Sequence, residues 1–136
     1  MRNWNVNAGE PCSVSVQTWT TENGYARASV GSASRIDDTW WVDRVKVHDL
    51  EKRKGLGSGI VGRLQAALVG RYGAMSPRPD LVLRVCPGGY NEDPEVQKAF
   101  YASCGFKVIE EDPYGGGGVT MEWQPAWQEF TKKAVG

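Results

Sequence analysis

The chain has 136 residues, 40% of them hydrophobic and 24% charged, with 16 basic residues balanced by 16 acidic ones. That length suits one domain, residues 1–136, with its own core, and no apolar run reaches the ~20 residues of a membrane-spanning helix. Zero net charge argues against a dedicated nucleic-acid binder, three cysteines without a CxxC pair against a disulfide framework or zinc site, and a lone histidine, His48, against a histidine metal site. Free thiols and an N-terminus without an apolar stretch lead to the expectation of a cytoplasmic protein.

In chain order, Asn3 to Asn7 is compatible with a short strand. Ser13 to Thr20 alternates and is rich in β-formers, Asn23-Gly24 is a hairpin signal, and Tyr25 to Ile36 reads as the return strand. Asp37-Asp38 marks a turn before a third strand, Trp40 to Val47, so these strands should form an antiparallel meander. Residues 56 to 72 set Leu56, Ile60, Val61, Leu64, Ala67, Leu68 and Tyr72 at helical spacing. Leu81 to Cys86 is a short apolar strand broken by Pro87-Gly88-Gly89. Asp93-Pro94-Glu95 starts a second helix with a cap, a proline and an acid, and Val96, Ala99 and Phe100 would form its apolar stripe. Phe106 to Ile109 and Val119 to Trp123 read as a last hairpin across the loose Tyr114–Gly118 loop, and Pro125 to Val135 as a short terminal helix. The order β-β-β-α-β-α-β-β implies an α+β fold with a mixed sheet.

The chemistry concentrates where the third strand meets the first helix, in Val45-Lys46-Val47-His48-Asp49-Leu50-Glu51-Lys52-Arg53-Lys54-Gly55-Leu56-Gly57-Ser58-Gly59. Backbone N–H groups at a helix start are unpaired, the helix dipole adds partial positive charge, and basic side chains precede it, a combination suited to phosphate or pyrophosphate. A Walker A loop is excluded because Ile60 and Val61 follow Gly59 where Lys and Ser/Thr are needed. A dinucleotide fingerprint lacks its third glycine, and an antiparallel meander is the wrong context for it.

The segment resembles the acetyl-coenzyme A site of the GNAT superfamily of small N-acetyltransferases, whose signature is [RQ]xxGxG[AG] after an alternating strand. Here it reads Lys52-Arg53-Lys54-Gly55-Leu56-Gly57-Ser58, with Lys52 for the usual Arg or Gln and Ser58 for a smaller residue. Phe100-Tyr101 and Gly105-Phe106 follow at the family spacing, and the order of elements from Trp40 to Trp123 is the family order.

The resemblance implies that Lys52, Arg53, Lys54, Gly55, Leu56, Gly57 and Ser58 grip the coenzyme A pyrophosphate, while Val45, Lys46 and Val47 pair with the pantetheine arm as an added strand. It implies acetyl transfer from acetyl-coenzyme A, as cosubstrate and without a metal, to a primary amine that attacks the thioester directly. Tyr101 matches the family tyrosine that protonates the departing sulfur. The general base stays open: Asp43, placed by alternation on the face of Val45 and Val47, is one candidate, and His48 or water are others. The family's cofactor-contacting Asn falls on Pro94 here, with Asn91 or Asp93 as substitutes.

Relatives usually carry two helices before the meander, for which this chain has no room, so the acceptor side should be open or completed by a second copy in a homodimer. Arg44, Lys46 and His48 alternate along the third strand, as expected of an uncovered face. A different class of function is a coenzyme A-binding module without turnover that acts through a protein partner.

Overall fold

The computed structural model describes residues 2–22, 24–51, 55–87, 93–111 and 118–127. Expectations that fall on Asn23, Lys52, Arg53, Lys54, Gly88, Gly89, Asn91, residues 114–117 and the terminal stretch from 128 lie outside these residues. The elements are β1 (Asn3–Asn7), β2 (Ser13–Glu22), β3 (Tyr25–Ile36), β4 (Thr39–Lys46), α1 (Leu56–Gly73), β5 (Leu83–Val85), α2 (Pro94–Ser103), β6 (Lys107–Glu111) and β7 (Val119–Trp123), with a 3-10 turn at Asp49–Glu51. The seven strands form one mixed sheet in the order β1-β2-β3-β4-β5-β7-β6.

The first four strands are an antiparallel meander, and the fifth joins β4 in parallel after α1 has crossed over. Residues 8–12 connect β1 to β2 without a helix. Arg71, in the last turn of α1, ties this link down by donating to the carbonyls of Ala8, Glu10 and Pro11.

The helical spacing of the sequence is the packing surface of α1. Leu56, Ile60, Val61, Leu64, Leu68 and Tyr72 are buried, and Ala67 packs partly buried beside them. They meet Val14, Val16 and Ala33 of the meander, Trp40 of β4, Leu83 and Val85 of β5, and Met121 of β7. Burying side chains of this size stabilises the fold by about 1.5–3 kcal/mol each. The helix presses on β3 at Gly31, where a Cβ would run into Ile60. Trp40 Nε1 donates to the Tyr72 hydroxyl at 3.1 Å, which satisfies a polar group inside the core.

α2 differs from its expected stripe. Val96 is 63% exposed and Ala99 is also exposed, whereas Phe100 is half-buried and Tyr101 buried. The reason is the approach of α2 to the start of α1: a Cβ on Gly57 would lie 3.0 Å from the Phe100 ring. Tyr101 is held edge-on by Phe100 and Phe106, with ring centroids at 4.9 and 5.4 Å. Gln65 of α1 donates to the Cys104 carbonyl at 2.9 Å and closes the far end of this contact.

Only one face of the sheet is covered by helices among the described residues. The other carries Ser15, Gln17, Ser32, Ser34, Arg44 and Lys46, in line with the expected uncovered face, by strand alternation and cross-strand pairing. Trp41 lies there too, with the Arg84 guanidinium 5.9 Å from its ring centroid and Arg84 bonded to Glu122 at 3.0 Å. No helix of the described residues is long and apolar enough to cross a membrane.

Candidate functional site

The strands β4 and β5 part almost as soon as they meet. Their parallel pairing covers Trp40–Leu83 and Trp41–Arg84, after which β5 ends at Val85 while β4 runs on to Lys46. Val42, Arg44, Val45 and Lys46 therefore pair with β3 on one side and with no described strand on the other. Among the described residues their outward N–H and C=O groups have no strand partner, an arrangement suited to an extended ligand. The expected strand from Leu81 to Cys86 is shorter in the structure: only Leu83–Val85 pairs with neighbouring strands, and Leu81 packs in the core ahead of it.

Within this open stretch, β4 bulges. Ser32 faces Arg44 and Ala33 faces Val42, so Asp43 is an extra residue opposite β3. This corrects the expectation that Asp43 shares a face with Val45. Val42 and Val45 pair with Ala33 and Gly31 and point toward α1. Asp43 turns to the open face, where its carboxylate accepts from the Ser34 hydroxyl at 2.5 Å and from Ser32 at 3.5 Å. Two consecutive polar side chains, Asp43 and Arg44, thus stand on one face just past the point where β4 and β5 separate.

Beyond β4, Val47 is half-buried and its side chain faces Gly57 in the first turn of α1. His48 is tied into the backbone: its N–H donates to Ser29 Oγ, and its Nδ1 accepts from the Leu50 N–H at 3.1 Å. These two bonds cap the chain locally as it leaves β4.

The start of α1 is built from glycines for three separate reasons. Gly55 precedes the helix at φ 75°, a left-handed conformation that disfavours a Cβ. Gly57 admits the Phe100 ring, and a Cβ on Gly59 would lie 3.2 Å from the ring of Trp4. The first helical hydrogen bond runs from Gly59 N–H to Gly55 C=O at 3.1 Å, so the N–H groups of Leu56, Gly57 and Ser58 have no partner within the helix. No side chain caps this start, and no acid lies in its first turn.

Ser58 is tied to the residue that follows α2. Its hydroxyl bonds the Cys104 thiol, and burial pushes that thiol above the usual cysteine range against the opposing pull of Ser103 and Ser58. Tyr101 lies on α2, 4% exposed. Asp93 caps α2 by accepting from the Glu95 N–H at 2.9 Å, as its sequence foretells. Among the described residues no group of three or more His, Cys, Asp or Glu is arranged to hold a metal ion.

One feature escaped sequence reasoning. Glu51, the last residue before the basic segment, is only 2% exposed and is bound by Arg2 at 3.1 Å and by the Thr20 hydroxyl at 3.1 Å, with Arg27 at 4.0 Å. A glutamate in a run of charges reads as solvated, and no local pattern marks its distant partners.

No protein-family model and no curated protein matches the chain. Solved structures do. The chain is similar to the PaiA N-acetyltransferase of Thermoplasma acidophilum in complex with coenzyme A, at 15% identity and a TM-score of 0.59 over 84% of this chain and 62% of that one. It thus spans less than two thirds of that protein. It is similar to a Klebsiella pneumoniae protein assigned as an acyl-CoA N-acyltransferase, at 16% identity and a TM-score of 0.64 over 91% of this chain and 97% of that one. It is also similar to the IAA acetyltransferase of Bacillus cereus, at 13% identity and a TM-score of 0.60 over 92% of this chain and all of that one. At such identities the likeness is one of fold. With the mixed sheet and the two helices, it establishes that this chain has the GNAT fold.

Proposed function

We propose that the protein is an acetyl-coenzyme A-dependent N-acetyltransferase acting on a primary amine. The observation that carries this reading is the parted β4–β5 pair leading straight into the uncapped, glycine-rich start of α1. The first offers backbone partners to the amide-bearing pantetheine arm along Val45 and Lys46, with Val47 beside it. The second offers free N–H groups and a dipole at Gly55, Leu56, Gly57 and Ser58 to the pyrophosphate, with Lys52, Arg53 and Lys54 adding charge. Coenzyme A bound to the Thermoplasma protein of the same fold supports this choice of ligand. Asn91 keeps the role of an additional cofactor contact.

In this reading the acetyl group lies where β4 and β5 separate. An amine approaching over the open face meets Asp43, whose carboxylate is held by two hydroxyls and is available to an ammonium or its departing proton. The amine nitrogen bonds to the carbonyl carbon, the carbon–sulfur bond breaks, and Tyr101 gives the sulfur its proton. The fold keeps Tyr101 in one place between Phe100 and Phe106, as a positioned acid requires. A homodimer over the open face and a cytoplasmic setting accompany the proposal.

The test is titration calorimetry with coenzyme A, then thiol release from acetyl-coenzyme A over a panel of amines, peptides and amino sugars. Binding with turnover on at least one amine class is expected. Binding with no thiol release across the panel would leave a coenzyme A-binding module, and no binding at millimolar ligand would end both readings.

A further inference from the structure

We infer that β1, together with Arg2 just before it, is a two-point staple that holds the donor-binding turn in shape, with Arg2, Trp4 and Glu51 as positioning residues. The inference rests on the proposed donor site and assigns it a part that lies outside the β4–α1 segment.

β1 is an edge strand that pairs with β2 alone. Alternation puts Arg2, Trp4 and Val6 toward the helix-covered face. Val6 is 43% exposed, so β1 contributes little to the core through it. The other two side chains go to either end of the glycine-rich turn. Arg2 donates to the buried carboxylate of Glu51 on the near side, and also to Thr18. Trp4 packs against the first turn of α1 on the far side: its ring stands over Gly59, and the Arg63 guanidinium stacks 3.4 Å from its centroid. Arg63 also donates to the Gly59 carbonyl at 3.2 Å, which locks the stack to the helix backbone.

Both clamps are of a kind that fixes geometry. Glu51 is buried, so its charge must stay paired, and Thr20 and Arg27 complete its setting from β2 and β3. A guanidinium over tryptophan is the most favourable cation–π pairing and leaves little freedom to the helix turn beneath it. Phosphate recognition by N–H groups depends on where those groups point, so the staple acts on donor affinity and has no contact with the acceptor or the reacting bond.

The experiment measures coenzyme A binding by calorimetry and, with an amine found to turn over, the donor KM, acceptor KM and kcat. Glu51→Gln and Trp4→Leu are each expected to weaken coenzyme A binding and raise donor KM by about tenfold, with kcat at saturating donor and acceptor KM unchanged within about twofold. The double variant should lose less than the product of the two, because both clamps act on one turn. Asn5→Ser, on the opposite face of the same strand, should bind like the wild type. If either variant fails to fold, Glu51→Asp and Trp4→Phe replace them, with smaller shifts of the same pattern. Folded variants that bind coenzyme A as the wild type does would overturn the staple alone. A fall in kcat without a change in donor KM would also overturn it. A wild type that does not bind coenzyme A would overturn the donor reading and the staple with it.

Discussion

The two helices of this fold begin in opposite ways. α2 closes its own N-terminus: Asp93 accepts from the Glu95 N–H, Pro94 has no N–H to satisfy, and Glu95 places an acid against the helix dipole. α1 does none of this. It begins after Gly55 with no side-chain cap and no acid in the first turn, and three basic residues precede it in sequence. A good cap is worth about 1 kcal/mol, so a helix start left uncapped after three basic residues in sequence is a place where stability is forgone and an anion is expected. The contrast supports the proposed donor site more than the glycines do, since Gly55, Gly57 and Gly59 each have a packing or backbone reason of their own.

The contrast also separates what each helix does. If α1 binds the donor by its start and α2 serves chemistry by its body, Tyr101→Phe should lower kcat by about a hundredfold with donor KM little changed. Steady-state kinetics on the identified amine checks this, and wild-type kcat would remove Tyr101 from the reaction. Asp43→Asn should act on the acceptor, lowering kcat/KM for the amine by about tenfold or more without altering coenzyme A binding. Giving α1 the kind of start that α2 has, through Gly55→Asp, should weaken coenzyme A binding by about tenfold. Aspartate tolerates the left-handed backbone better than most residues, so a melting curve close to wild type should accompany that loss. The reverse change, Asp93→Ala, should cost about 1 kcal/mol of stability in denaturant titration and leave coenzyme A affinity alone. Equal effects of the two cap variants on binding would erase the distinction between the helices.

The smallest expected effect concerns Cys104, which links the end of α2 to Ser58. Burial raises its pKa, so the folded state holds the thiol proton to higher pH than the unfolded chain does. Its contribution to stability is therefore present below the ordinary cysteine pKa and fades as pH rises through the raised value. Alkylation near pH 8 should label Cys104 several-fold more slowly than the exposed Cys12 and Cys86, read by mass spectrometry.

What was legible in the sequence was local. The helical spacing from Leu56 to Tyr72 marks the buried face of α1 almost residue for residue, and the Asp93-Pro94-Glu95 start lies where capping chemistry puts it. Tyr25–Ile36 and Val119–Trp123 carry the bounds that their turn signals suggest. What was not legible depends on partners far along the chain. No glycine or proline marks the bulge at Asp43, because the extra residue is set by register against β3. A ten-residue helix with Phe100 beside Tyr101 allows more than one buried face, and the close approach of Gly57 to Phe100 chooses among them. Glu51 finds Arg2 across 49 residues of sequence, and only the folded sheet brings them together.

The most direct test of the difference between the two helix starts is an amide NMR titration of the 15N-labelled protein with coenzyme A. The account expects the N–H signals of Gly55, Leu56, Gly57 and Ser58 to move on binding while those of Glu95, Val96 and Gln97 stay in place. Unmoved signals at 55–58 under millimolar ligand, or equal movement at both helix starts, would contradict it.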